Sequence, residues 1–228
     1  MLCRKLICIS LVLLFFQAKT NAVNNQDSLY RIEGVQVSPT QLLSGKQNLS
    51  VNAIVKLIGG EFSSLAHDAM NFKPGSKNNW IKKSFFNNDS ISKEVIVELV
   101  NPFLYDVIFY TVDSSIVRDS VVTGASRVFL SRQIAHPNFQ YQMTLPPARQ
   151  TDCYIQISTG TVSSDLVLLV WDKDKRKDYQ LIETKYLSYF LIINIVFLIL
   201  IGLAIFQTKQ KYHWFYFLYI LFGIAHIY

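Results

Sequence analysis

Four histidines, His67, His136, His213 and His226, are the side chains best suited to metal ligation or acid-base work in this chain. None stands at a spacing from another histidine, a cysteine or a carboxylate that would bring two ligands together, such as one helical turn apart. His136 precedes Pro137 in a turn and reads as an exposed loop residue. No Gly-x-Ser-x-Gly turn, glycine-rich phosphate loop or pair of carboxylates in an apolar groove occurs, and Gly59-Gly60 alone makes no phosphate cradle. The residues therefore provide no catalytic group, metal site or cofactor site, and an enzyme is the weakest functional class. Of the three cysteines, Cys3 and Cys8 lie within the first 22 residues, which read as a signal peptide. Cys153 remains, in the alternating run Cys153, Ile155, Ile157. A lone thiol forms no internal disulfide, and this one reads as a buried structural residue.

Aromatic side chains are the other chemical resource. A β-sandwich can hold a sugar on aromatic platforms with a few polar groups and no acid-base machinery. Trp80, Tyr110, Tyr141, Tyr154 and Trp171 are the candidates, against a background in which most strand aromatics are core. Asn48-Leu49-Ser50 and Asn88-Asp89-Ser90 are glycosylation triplets only in a eukaryotic host.

The 228 residues carry a formal net charge of +6, which could point to nucleic acid. Distribution excludes that partner. Arg4, Lys5, Lys19, Lys209 and Lys211 flank apolar segments, and the other 17 basic residues face all 16 acidic ones, a surplus of one. The excess is topogenic, and no basic stripe with interleaved aromatics appears.

Residues 186–206 form 21 positions without a charge. At about 1.5 Å per residue they span the roughly 30 Å hydrocarbon core of a bilayer. A second apolar run covers 213–228, and the chain reads as part of a longer polytopic protein, because a helix ending in mid-bilayer would leave its carboxylate in lipid. Asn194 in the first run is expected to hydrogen-bond a neighbouring helix. Arg4 and Lys5 before the short apolar stretch 6–16, with Thr20-Asn21-Ala22 after it, predict a signal peptide over 1–22. Residues 23–185 are then exported, which makes the location a cell membrane with the N-terminal domain outside.

Within the exported part, period-two alternation predicts strands. Val95, Val97 and Leu99 oppose Glu94 and Glu98, and Phe139, Tyr141, Met143 and Leu145 oppose Gln140, Gln142 and Thr144. Further strands are expected at 80–86, 105–112, 126–131, 152–158 and 166–171, with 29–37 and 51–58 as additional ones and a short helix at 61–70. Turn signals at sandwich-like intervals make 23–171 an all-β jelly-roll-like sandwich followed by transmembrane helices. Residues 172–185, opening with Asp-Lys-Asp-Lys-Arg-Lys-Asp, read as a solvated charged linker, or alternatively as a lipid headgroup contact.

The order of parts, together with Asn79-Trp80-Ile81, Phe86-Asn87, Val97-Glu98-Leu99-Val100-Asn101-Pro102, Tyr105 to Tyr110, Thr123-Gly124 with Phe129 and Arg132, Phe139 to Leu145 with Pro146-Pro147, and Cys153 to Ser158, resembles bacterial seven-transmembrane receptors with diverse intracellular signalling modules. The exported part is similar to their second type of extracellular domain. Two positions depart from the family pattern: Ala125 follows the glycine where an acidic residue is usual, and Lys82 and Lys83 follow the tryptophan where an arginine is usual. The resemblance implies a sensor for a small-molecule or carbohydrate ligand, with further helices and a cytoplasmic signalling module beyond the present residues. Trp80, from the strand aromatics, and Arg132 are the ligand-binding candidates. A surface binding or adhesion module on a membrane anchor is the alternative.

Overall fold

The computed structural model describes residues 32–44, 49–57, 61–65, 68–161, 164–208, 210 and 212–227. The expected signal peptide, Cys3, Cys8, Asn48, Gly59-Gly60 and His67 lie outside these residues. The chain divides into two compact units, Met1–Lys175 and Arg176–Tyr228.

In the first unit the described strands are β1 (Val35–Val37), β2 (Gln41–Leu43), β3 (Ser63–Ser64), β4 (Ala69–Phe72), β5 (Asn79–Asn87), β6 (Lys93–Leu99), β7 (Asp106–Asp113), β8 (Ile116–Thr123), β9 (Phe139–Leu145), β10 (Gln150–Ser158) and β11 (Ser164–Asp172). They form a seven-stranded sheet in the order β3-β2-β5-β10-β7-β8, with β1 also on β5, and a four-stranded sheet in the order β4-β11-β6-β9. Every pairing is antiparallel. This is the expected sandwich.

Alternation explains which face each side chain takes. Ile81, Phe85, Val107, Phe109, Cys153, Ile155 and Ile157 of the larger sheet meet Val95, Val97, Leu99, Tyr141, Met143 and Leu168 of the smaller one in a single buried cluster. Phe109 and Tyr141 stack across the sheets at 5.1 Å. The Tyr141 hydroxyl lies 2.6 Å from Thr111 Oγ1 and donates to Asp119 Oδ2 at 3.1 Å, so its polar end is satisfied inside the core. Lys83 also points inward, where its ammonium donates to Thr40 Oγ1 and Asp68 Oδ1, each at 2.9 Å.

A second apolar cluster, Leu43, Ile54, Phe62, Trp80, Val112 and Tyr154, covers part of the larger sheet's outer face. Helix α1 (Val51–Val55) supplies Ile54 to it. Residues 51–58 were expected to be a strand; Ser50 instead caps a helix, its Oγ accepting from Ala53 N at 3.4 Å, and the fully buried Ile54 anchors the turn. The expected helix at 61–70 is likewise replaced by β3 and the start of β4, and of 29–37 only Val35–Val37 is a described strand. The strand expected at 126–131 is a loop with a 3₁₀ turn, Phe129–Ser131. Strand β8 lies one position beyond the Ser114-Ser115 turn. It is an edge strand with mostly exposed side chains, and its register with β7 shifts at Thr111/Val112.

Helix α2 (Lys173–Thr208) is continuous over 36 residues. Asp172 Oδ1 accepts from Asp174 N at 3.0 Å and Lys175 N at 3.4 Å, which caps the start. The charged stretch 173–185 is thus helical, and in the second unit Arg176 Nη1 pairs with Glu183 Oε2 at 3.1 Å. The apolar part of α2 is long enough to cross a membrane. Asn194 donates its amide to Phe190 O at 2.8 Å, one turn back along its own helix. Helix α3 (Tyr212–Ile227) follows, with Trp214 edge-on to Phe217 at 6.0 Å.

Candidate ligand-binding site

The aromatic residues singled out by sequence are mostly sequestered. Trp80 is 1% exposed, stacked with Tyr110 at 5.9 Å beneath the second apolar cluster, and Tyr154 is covered edge-on by Phe62 at 6.3 Å. Tyr141 is in the core, and buried Trp171 donates its indole N–H to Glu98 Oε2 at 2.7 Å. The structure brings Trp80, Tyr110 and Tyr154 onto one sheet face, but Trp80 presents no platform to solvent. Arg132 lies over the rings of Phe129 and Phe139, 4.7 and 4.5 Å from their centroids, and donates to the carbonyls of His136 and Pro137. Burial lowers its pKa. It therefore acts as a brace for the 129–139 loop, a use of its donors that sequence could not disclose.

Exposed aromatics occur instead at one pole of the sandwich. There a cleft of about 920 Å³ is lined by Lys77, Asn101, Phe103, Tyr105, Asp106 and the 158–161 turn, with Gly75 at its rim. Phe103 is 80% exposed and Tyr105 52%. Their outward aim follows from Leu104 between them, which is fully buried and plugs the end of the core. Asn101 holds the loop: its Oδ1 accepts from Phe103 N at 2.8 Å while its Nδ2 donates to Asp165 O at 2.8 Å. On the other side Gly124, at φ +141°, lets the following loop pass close enough for Ala125 N to donate to Leu104 O (2.8 Å) and Ser126 N to Tyr105 O (3.0 Å). A β-carbon at Gly124 would lie 2.3 Å from Tyr105 O.

The opposite wall is equally fixed. Gly75 N donates to Gly160 O at 2.7 Å, and Thr159 Oγ1 donates to Lys73 O at 2.9 Å, so the 73–77 and 158–161 turns are tied together. The ring of Tyr105 lies against Gly160, where a β-carbon would meet it at 3.7 Å. Asp106 is held by Ser126 Oγ at 2.8 Å and Arg127 Nε at 3.5 Å. Lys77 is exposed at the rim. The result is a preformed groove with two aromatic rings on one wall and hydroxyl, amide and charged groups around them. Such a set can stack on an apolar ring face and hydrogen-bond its polar edge. Sequence reasoning missed these two: Tyr105 opens the strand expected at 105–112, and the only partial signal is Phe103, an aromatic residue directly after the Asn101-Pro102 turn. Among the described residues no cluster of three or more His, Cys, Asp or Glu side chains could hold a metal.

A two-sheet antiparallel sandwich with a preformed cleft at one pole is followed along the chain by a helix long and apolar enough to cross a membrane. A family model described as 7TMR-DISM extracellular 2 matches residues 41–172, and the chain belongs to this receptor-domain family. Among solved structures, one of TmCBM61 in complex with beta-1,4-galactotriose matches at 10% identity and a TM-score of 0.29, covering 66% of this chain and 96% of that one. A family 35 carbohydrate binding module from Clostridium thermocellum matches at 10% identity and a TM-score of 0.25, covering 63% and 95%. No curated protein matches the chain.

Proposed function

We propose that residues 23–171 form the ligand-sensing domain of a multi-pass signalling receptor, that the ligand is a carbohydrate, and that it binds in the polar-rimmed cleft between Phe103, Tyr105 and the 158–161 turn. The mature chain begins near Val23 in this reading, the domain acts by binding and performs no catalysis, and binding biases the packing of the transmembrane helices. The observation that carries the reading is the exposure of Phe103 and Tyr105 on a hydrogen-bonded, rigid loop. Covering about 100 Å² of apolar surface there would contribute roughly 2.5 kcal/mol to binding, which a solvent-facing aromatic otherwise forgoes. A signal results only if the ligand binds one packing state of the helices more tightly than the other. The test is a glycan array probed with the full chain in detergent micelles, beside Phe103→Ala and Tyr105→Ala. Binding of a neutral glycan that either substitution weakens about tenfold or more supports the site. Glycan binding unchanged in both variants removes the cleft as the site, and no glycan binding by the parent chain removes the ligand class.

A further inference from the structure

The opposite pole of the larger sheet carries a second cleft, of about 440 Å³, that differs in chemistry from the first. Its apolar lining comes from Val55 and Leu57, at and just beyond the end of α1, with Val112 and Tyr154, and its charged lining from Lys82, Asp113, Arg149 and Asp152. Lys82 Nζ pairs with Asp152 Oδ2 at 3.1 Å, which neutralises both. Burial pushes the Lys82 ammonium pKa down, but the Asp152 carboxylate and the Tyr154 hydroxyl together more than offset it, and the net shift is upward.

Asp113 is placed differently. Its side chain is 11% exposed, and Arg118 and Arg149 approach the same oxygen, Oδ2, at 3.6 and 3.8 Å. Both separations exceed a hydrogen bond, so the single negative charge lies between two guanidinium groups whose donors are not consumed by it. Arg118 and Arg149 are 55% and 65% exposed at the side chain. One carboxylate between two arginines leaves one positive charge in surplus.

The backbone fixes both arginines near this carboxylate. Ser114 and Ser115, at φ +51° and +66°, form the two-residue turn between β7 and β8, a conformation usually given to asparagine and glycine. Ser114 Oγ donates to Asp113 Oδ1 at 3.1 Å. Arg149 follows Pro146-Pro147 and Ala148, the last at φ +50°, and its own carbonyl accepts from Asn87 N at 3.1 Å. The guanidinium groups therefore hang from rigid backbone but remain open to solvent.

We infer that this cleft is a second binding site, for a small organic oxyanion whose carboxylate or phosphate is held by Arg149 of the lining and reached from beside the cleft by Arg118, which shares the Asp113 oxygen, while its carbon skeleton lies against Val55, Leu57 and Val112. Planar guanidinium pairs suit bidentate capture of such groups. The hydroxyl of Ser115 and the amide of Gln150 line the same cleft and supply neutral partners for hydroxyls on that skeleton. The site is independent of the aromatic pole and takes a charged ligand where that pole takes a neutral one.

Titration calorimetry of the full chain in detergent micelles tests this with glucuronate, glucose 6-phosphate, inorganic phosphate and glucose as probes. The expected result is binding of glucuronate or glucose 6-phosphate, no matching signal from glucose, and weakening by added salt. Arg149→Gln and Arg118→Gln, both exposed and therefore compatible with folding, should each weaken that binding about tenfold or more, and Phe103→Ala should leave it unchanged. Failure of all three anions to bind the parent chain overturns the inference. So does an affinity in both arginine variants unchanged from the parent chain's, or a loss with Phe103→Ala matching that with Arg149→Gln. Binding of inorganic phosphate equal to that of glucose 6-phosphate overturns the role given to the apolar lining. The carbohydrate reading of the other cleft stands or falls separately, on Phe103 and Tyr105.

Discussion

Gly124→Ala is the substitution whose cost the structure fixes most directly. The glycine holds φ +141°, a region that residues with a β-carbon avoid, and occupying it costs about 1–3 kcal/mol. The added β-carbon would stand 2.3 Å from Tyr105 O and 2.8 Å from Asp106 Cα. Both are backbone atoms, so the start of β7 must move rather than a flexible side chain. That movement stretches Ala125 N to Leu104 O and Ser126 N to Tyr105 O, at 2.8 and 3.0 Å in the native chain. At about 1 kcal/mol net for each bond, the total loss is about 3–5 kcal/mol, a large fraction of a domain's stability. Urea unfolding of the full chain in micelles, followed by the fluorescence of the buried Trp80 and Trp171, would show it. For a slope of about 2 kcal/mol/M the midpoint falls by about 1.5–2.5 M. A fall below about 0.5 M would refute the reasoning, because it would mean that the 103–106 loop yields without strain and does not hold Phe103 and Tyr105 in place.

Alkaline stability follows from buried protons. Burial raises the pKa values of Tyr110, Tyr141, Tyr154 and Cys153, with the Thr111 hydrogen bond acting against it at Tyr141 and the Lys82 charge at Tyr154, and Lys82 is raised by Asp152 and Tyr154 after its own burial cost is offset. Raised values mean that the unfolded chain releases these protons first, so this stability is complete below about pH 8.5 and falls as pH rises through and beyond about 10; an unfolding midpoint unchanged from pH 8 to 11 contradicts it. Cys153 is fully buried and should resist a thiol reagent in the native chain yet react at once in 8 M urea (roughly a fully denaturing condition), as read by mass spectrometry of its peptide. Amino-terminal sequencing of the membrane-extracted protein should begin near Val23, and an intact Met1 would contradict cleavage.

The sandwich was legible because β6 and β9 alternate without interruption, and Val95, Val97, Leu99, Tyr141 and Met143 can all reach one core only on paired strands. Strand β8 escaped because an edge strand with exposed side chains has no apolar face to reveal it. Residues 51–58 carry enough β-branched side chains to mimic a strand, and the tertiary anchor at Ile54 with the Ser50 cap decides for helix. At the site, the aromatic chemistry was readable but its location was not. Trp80 and Tyr154 alternate as a platform would, yet α1 and Phe62 cover them, an event between segments distant in sequence. Phe103 and Tyr105 show themselves only once Leu104 is known to be buried between them.

The edge formed by β8 has a consequence for a protein confined to a surface. Molecules tethered to a membrane diffuse in two dimensions and meet one another far more often than the same number in free solution, so an open ladder of backbone donors and acceptors would invite sheet-to-sheet joining. Strand β8 places Arg118 and Asp119 on that margin, and the register shift at Thr111/Val112 turns its line away from a flat template. Copies that meet along this margin thus face charge and a bend instead of a flat, open ladder.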